Sequence, residues 1–272
     1  MSYLLAVGNW VLPLLYLALL IDYGATFFLR ARTHVRSPWL MAVVLVHAAM
    51  LTVRAVYAGH PPVTYTRDIL SVLAVALAAV YAYVELANRD RRTGVFVVLL
   101  AFLFQYTSSI LLAGQAGETF AVTGVGAPSL WTRLHVLSAL VAYTASALAG
   151  VYGLLYLLAQ RGLHQHRFGV WFDRLPPLDL LGTMTWHALL TGFVCLTLAI
   201  AITPLLFHGG GQGEMTPKVI AKIITGSVAW LIYATAILGR WLGKWPAPRI
   251  SIIAVAGSIV VMALLVASGL LS

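Results

Sequence analysis

The sequence predicts an all-α polytopic membrane bundle of eight transmembrane helices, with the N- and C-termini both outside. Three observations predict it. The 272 residues are 61% hydrophobic and only 9% charged, whereas an ordinary soluble domain is roughly 25% charged. The apolar residues gather into eight long runs, and a run of about 18 or more reads as a membrane-spanning helix. Twelve of the 17 lysines and arginines fall in alternate connections, which marks that side as the cytoplasm.

The first run, Leu5–Phe28, has no basic segment before it and no small-residue cleavage site after it, so it is expected to be retained as a helix. Asp22 lies inside this run, and an acid at that depth calls for a partner. Arg30, Arg32 and Arg36 follow on the cytoplasmic side. The second run, Trp39–Ala58, carries His47 and Arg54. The third, Ile69–Leu86, is followed by Arg89, Arg91 and Arg92, and the fourth is Thr93–Ala113. The fifth, Leu134–Ala159, bears small residues four apart: Ser138, Ala142, Ser146 and Gly150. Small faces let membrane helices approach closely, so this helix is expected to be central in the bundle. The sixth, Leu180–Phe207, starts after "LPPLD", where Asp179 suits a helix N-terminus. The seventh and eighth are Val219–Leu238 and Ile250–Leu271. The chain reads as one transmembrane domain, 1–272.

Composition excludes a soluble enzyme. The formal charge of +9 is spread over short connections rather than gathered in one patch, so it reflects membrane topology and not a nucleic-acid surface. The single cysteine, Cys195, lies inside the sixth helix and reads as a small core residue. Without a CxxC pair the chain cannot reduce a disulfide through two thiols of its own. The sequence carries no GxGxxG, P-loop or HExxH motif, and the glycine-rich "HGGGQGEMTP" lacks a phosphate-loop lysine. Asp22 is the one charge read well inside an apolar run, which is thin support for a transporter.

The eight histidines sort by depth. His34, His164 and His166 fall in cytoplasmic connections and read as surface residues. His60, His135 and His208 fall at the outer interface. Only His47 and His187 lie within the membrane, both roughly 10–12 Å from the inner face at about 1.5 Å per residue. Two imidazoles at one depth can ligate one iron axially, as in membrane b-type haems, so His47 and His187 form a candidate pair for non-covalent haem b. Arg54, two turns beyond His47 on the same face, is a candidate for a haem propionate. The plainer alternative is that each histidine hydrogen-bonds a serine, threonine or carbonyl across a helix interface. His135, with His60 or His208 opposite, forms a second candidate layer at the outer end. Its alternative is a set of solvated loop histidines.

From the fifth helix onward the text becomes distinctive. The segments "LHVLSALVAYTASALAGVYGLLYLLAQ", "LPPLDLL", "HALLTGFVCLTLAI" and "WLIYATAILGRWLGKW" follow in order. Together with "VHAAMLTVRAVYAGHPP" and "DILSVLAVALAAVYAYVEL" in the first half, they resemble the CcsA/HemX-type cytochrome c assembly family. The resemblance implies an eight-helix membrane protein that handles haem. It implies that His135 corresponds to the histidine flanking the family's outer haem site, and His47 to the second-helix histidine of HemX-like members. The departures are equally specific. The tryptophan-rich WWD motif expected between helices six and seven is absent from "LLFHGGGQGEMTPKVIAKIITGSVAW". Leu238 stands where an "LHxR" histidine is expected, the tail "LLVASGLLS" has no histidine, and His187 occupies a position where the family more often has arginine.

The resulting expectation is a non-enzymatic, haem-handling accessory protein of cytochrome c maturation or haem metabolism in the bacterial inner membrane. Its partners would be the lipid bilayer and other membrane subunits or cytochrome c assembly proteins, without nucleic acid. The alternative expectation is a non-catalytic subunit of a larger respiratory-type complex, with or without a b-type haem. An active cytochrome c synthetase is disfavoured by the missing WWD motif.

Overall fold

The computed structural model describes residues 2–29, 38–59, 61–63, 65–88, 91–114, 129–165, 174–208 and 217–270, and among these it is helical with no strand. The helices are α1 (Ser2–Leu29), α2 (Pro38–Ala58), α3 (Thr66–Asn88), α4 (Gly94–Gly114), α5 (Leu130–His164), α6 (Leu178–His208), α7 (Pro217–Trp241) and α8 (Ala247–Leu270). The first seven are long and apolar enough to cross a membrane, and α8 contributes a shorter apolar stretch, Ala247–Ala263. The chain is therefore a multi-pass helical membrane protein.

Each run of apolar residues became a helix at the expected place. The largest difference is α5, which begins four residues earlier and ends five later than its apolar run. Ser129 starts it: its hydroxyl accepts the Thr132 N–H at 3.2 Å and so satisfies one of the donors a helix N-terminus leaves open. At the far end Arg161 and His164 sit in the last turn, where cations suit the helix dipole. At α6, the Leu181 N–H bonds the Pro177 carbonyl and Asp179 lies in the first turn, as "LPPLD" leads one to expect.

The chain divides into two compact units, residues 1–126 and 127–272. In the first, α4 packs against α1 and α3, while α2 lies on α1 and α3. In the second, α5 packs most extensively, against α6 and α8, and α7 lies on α6 and α8. The small-residue ladder makes these approaches. A Cβ on Gly192 of α6 would stand 3.5 Å from the Ser146 backbone nitrogen and 3.6 Å from the Ala142 carbonyl. Ser146 hydrogen-bonds Tyr233 of α7, and a Cβ on Gly150 would overlap Ser258 of α8. Helix α5 is thus central within its own unit. Around it Ala149, Leu189, Tyr233, Ala236, Ile250 and Ala254 form a core.

Pro13 sits inside α1 and has no N–H to give the Asn9 carbonyl four residues earlier. Ser109 of α4 donates its hydroxyl to that carbonyl at 2.8 Å, and the Asn9 side-chain amide donates back to the Ser109 carbonyl at 3.1 Å. An unpaired carbonyl in hydrocarbon costs several kcal/mol, so the cap makes the proline tolerable. Ser109→Ala is expected to destabilise the protein by about 1–3 kcal/mol. The loss would be read as a fall in thermal midpoint in detergent, and Ser109→Thr, which keeps the hydroxyl, should recover most of it.

Candidate functional site

Within the first unit a buried polar seam joins all four helices. Tyr16 of α1 and Ser71 of α3 flank His47 of α2, at 3.0 Å from Nδ1 and 3.0 Å from Nε2. Ser71 donates to the Gln105 Oε1 at 2.8 Å, and the Gln105 amide donates to the Ser109 hydroxyl at 3.2 Å. Ser109 then donates to the Asn9 carbonyl. Because the Ser71 proton is committed to Gln105, Ser71 accepts from His47 Nε2–H, and Nδ1 accepts from the Tyr16 hydroxyl. All donors point one way, an order in which neighbouring hydrogen bonds reinforce one another. His47, Ser71 and Gln105 are essentially without solvent exposure.

Ionic clusters lie on either side of this seam. Arg54, the expected propionate partner, forms an ion pair with Asp68 of α3. Arg91, just before α4, donates Nη2 to the Asp22 Oδ2 at 3.0 Å and lies 3.6 Å from the Glu85 Oε1 through Nε. Its guanidinium also stands 4.5 Å over the Tyr23 ring, and the Tyr23 hydroxyl donates to Glu85. Arg91 is therefore a partner of Asp22. The same crowding explains Gly94, where a Cβ would overlap both the Tyr23 ring and the Tyr81 hydroxyl. A groove of about 250 Å3 opens beside Asp22, lined by Leu15, Ala18, Leu19, Asp22, Trp39 and Val43. It is smaller than the roughly 300–1,000 Å3 of most small-molecule sites, and His47 does not line it.

The second unit carries the other two candidate histidines. His187 lies on an exposed face of α6, next to Trp186, whose ring sits 4.5 Å beneath the Arg240 guanidinium. His135 is half-buried near the start of α5 and spans to α6, where its Nδ1 bonds the Ala199 carbonyl at 2.9 Å. A carbonyl only accepts, so Nδ1 carries the proton and Nε2 keeps the lone pair. Among the described residues Nε2 has no hydrogen-bond partner. His60 and the side chain of His208, the expected companions of His135, lie outside the described residues, as do His34 and His166. The described residues contain no group of three or more histidines, cysteines or acids that could hold a metal ion.

Fold and sequence together define a polytopic helical membrane protein with polar seams built into its bundle. Residues 7–272 match the family described as "Cytochrome C assembly protein", and the chain belongs to that family. A curated relative is the cytochrome c biogenesis protein CcsA of Microcystis aeruginosa (strain NIES-843 / IAM M-2473), 25% identical over 174 residues, 64% of this chain and 49% of the relative. The chain thus spans about half the length of that relative. No solved structure matches it. The family's description names cytochrome c assembly.

Haem is the group such a role brings into question, and the candidate histidines differ in their fitness for it. An imidazole that ligates a metal typically gives its other ring N–H to a carbonyl or carboxylate, which fixes the tautomer and the ring. His135 has the hydrogen-bond half of this arrangement, from Nδ1 to the Ala199 carbonyl. His47 does not, because both of its nitrogens are engaged by hydroxyls. Iron at Nδ1 would strand the buried Tyr16 hydroxyl, and iron at Nε2 would break the bond to Ser71. Arg54 is likewise committed to Asp68. Sequence depth identified His47 as special but could not show what surrounds it. The missed signal was the set of polar residues, Ser71, Gln105, Ser108 and Ser109, inside otherwise apolar helices.

Proposed function

We propose that this protein is an accessory, non-enzymatic factor of cytochrome c maturation in the bacterial inner membrane. It would hold haem b non-covalently, with His135 Nε2 as the iron contact. The observation that carries the proposal is the hydrogen bond from His135 Nδ1 to the Ala199 carbonyl, which presents Nε2 as a fixed neutral donor. His135 is also the residue that matches the family's outer flanking histidine. On this reading the buried pair of His47 and His187 gives way to a single contact near the end of α5. His47 holds the first unit together, and His187 is an exposed residue of α6.

The basic residues favour both termini outside, which puts His135 at the outer face. The chain has no WWD motif, so it would pass haem on or store it rather than attach it to an apocytochrome. Partners would be other cytochrome c assembly proteins in the same membrane.

The proposal is tested by purifying the protein from a haem-replete host and measuring its absorption spectrum together with the proteins that accompany it. A Soret band and cytochrome c assembly partners are the expected result. A haem-free preparation that cannot be loaded with haemin overturns the haem reading. Stoichiometric recovery with a respiratory complex would favour the subunit alternative. A periplasmic reporter fused after Ser272 should be active, and a cytoplasmic C-terminus would invert the proposed orientation.

A further inference from the structure

We infer that Trp131 provides the aromatic surface against which the porphyrin ring packs when its iron is held by His135. The inference rests on the proposed haem contact and names a residue of that site. A porphyrin is a broad apolar plate, and one imidazole fixes only its centre. Where the WWD tryptophans are missing, another aromatic surface must cover the plate or leave it in water and lipid. The interval 209–216 between α6 and α7 contains no tryptophan.

Trp131 is placed for this task. It precedes His135 by four residues on α5, so the two side chains lie on the same helix face, about 6 Å apart along the axis. The 2.9 Å bond from His135 to Ala199 ties that face to α6 and holds the imidazole still. A side chain one turn away on the same face reaches the same side of any flat group held at Nε2. Trp131 is 47% exposed, and its neighbours Leu130, Leu134 and Leu137 are exposed as well. Those leucines lie on other faces of α5, so Trp131 is the large apolar side chain on the face of the imidazole. Among the described residues the other tryptophans of the second unit are engaged or remote, Trp245 being packed against Gly239 and Gly243. Trp230 stacks on Phe193 at 5.4 Å and donates its indole N–H to Thr197. Trp186 lies under Arg240, and the exposed Trp241 closes α7 at the opposite end of the unit.

The test separates ring packing from iron ligation by using two probes, metal-free protoporphyrin IX and haemin. Both are titrated into the full-length protein in phosphatidylcholine nanodiscs, with Trp241→Ala as a control for general partition. Protoporphyrin IX has no iron, so it reads the platform alone. Trp131→Ala should weaken protoporphyrin IX about fivefold to tenfold, while Trp131→Phe stays within about twofold of the unaltered protein, as aromatic packing energies suggest. Equal affinity for Trp131→Ala and the unaltered protein overturns the inference, and so does an equal loss in Trp241→Ala. So does failure of the unaltered protein to bind protoporphyrin IX. If Trp131→Ala does not fold, Trp131→Leu takes its place: weaker binding than Trp131→Phe supports the platform, and equal binding overturns it. Haemin reads the other claim independently. If His135→Ala keeps the haemin spectrum of the unaltered protein, the iron assignment fails while the protoporphyrin result still decides the platform.

Discussion

Replacing His135 by alanine is expected to abolish the imidazole-ligated haem spectrum of the loaded protein. Its affinity for haemin should fall by more than the about 10–100-fold lost when only an outer partner of a metal ligand is removed. The change acts on one atom. Nε2 is the donor in the proposed site, and Nδ1 serves to fix the ring through the Ala199 carbonyl. Stability should hardly move, because the imidazole is only half-buried and Ala199 lies on a helix whose own hydrogen bonds persist. The contrasting variant is His47→Ala. It should leave the haemin spectrum in place and instead destabilise the first unit by about 1–3 kcal/mol, since it strips the Tyr16 hydroxyl of its acceptor while Ser71 keeps its bond to Gln105. If the two outcomes are exchanged, so that His47→Ala loses haem and His135→Ala does not, the iron belongs with the buried histidine and the proposed site is wrong.

A larger effect on stability is expected at Arg91. Its side chain is 6% exposed and faces two carboxylates, Asp22 at 18% and Glu85 at 4%. Taking one partner from a buried ion pair costs about 3–5 kcal/mol, because the charge left behind keeps its desolvation penalty. Arg91→Ala should therefore lower the thermal midpoint more than any substitution in the hydroxyl chain. Arg91→Lys should recover part of the loss, since an ammonium retains the charge but not the planar contact over Tyr23. Neutralising both acids at once, as Asp22→Asn with Glu85→Gln in the Arg91→Met background, should restore much of the stability. An Arg91→Ala protein as stable as the original would mean that water reaches this cluster and that it is not a buried ion pair at all.

The helices were legible because hydrocarbon demands one pattern: about 20 apolar residues with every backbone group bonded inside the segment. That demand locates each helix but says little about its ends. Arg133, Arg161 and His164 lie beyond the ends of the apolar run, yet the backbone of α5 continues through them, because polar side chains do not stop a helix that has left the membrane core. Ser129 carried the missing start signal. The site was legible in part. Sequence gave the depth of His47 and the family position of His135, but depth is only one coordinate of a helical residue. The facing direction is the other, and it depends on helices distant in sequence, such as α1 and α3 around His47. The same gap explains Arg54, which by spacing alone was free to meet a propionate and in the fold meets Asp68. An acid at the depth of Asp22 calls for a partner, but Arg91 stands 69 residues away in a loop, and only the fold brings the two together.

The cap on the Asn9 carbonyl has a consequence for biogenesis. Membrane helices leave the ribosome in order, and α1 arrives with one backbone acceptor that its own proline cannot serve. The hydroxyl that serves it, on Ser109, is made 100 residues later in α4. Gln105, which completes the line from His47, arrives on the same helix. Until then α1, α2 and α3 must keep those polar groups near water, near lipid headgroups or against the insertion machinery. The polar line of the first unit is therefore complete only once the fourth helix is in place. A nascent chain stalled before Ser109 would present an incompletely bonded bundle, and so a natural target for membrane proteases.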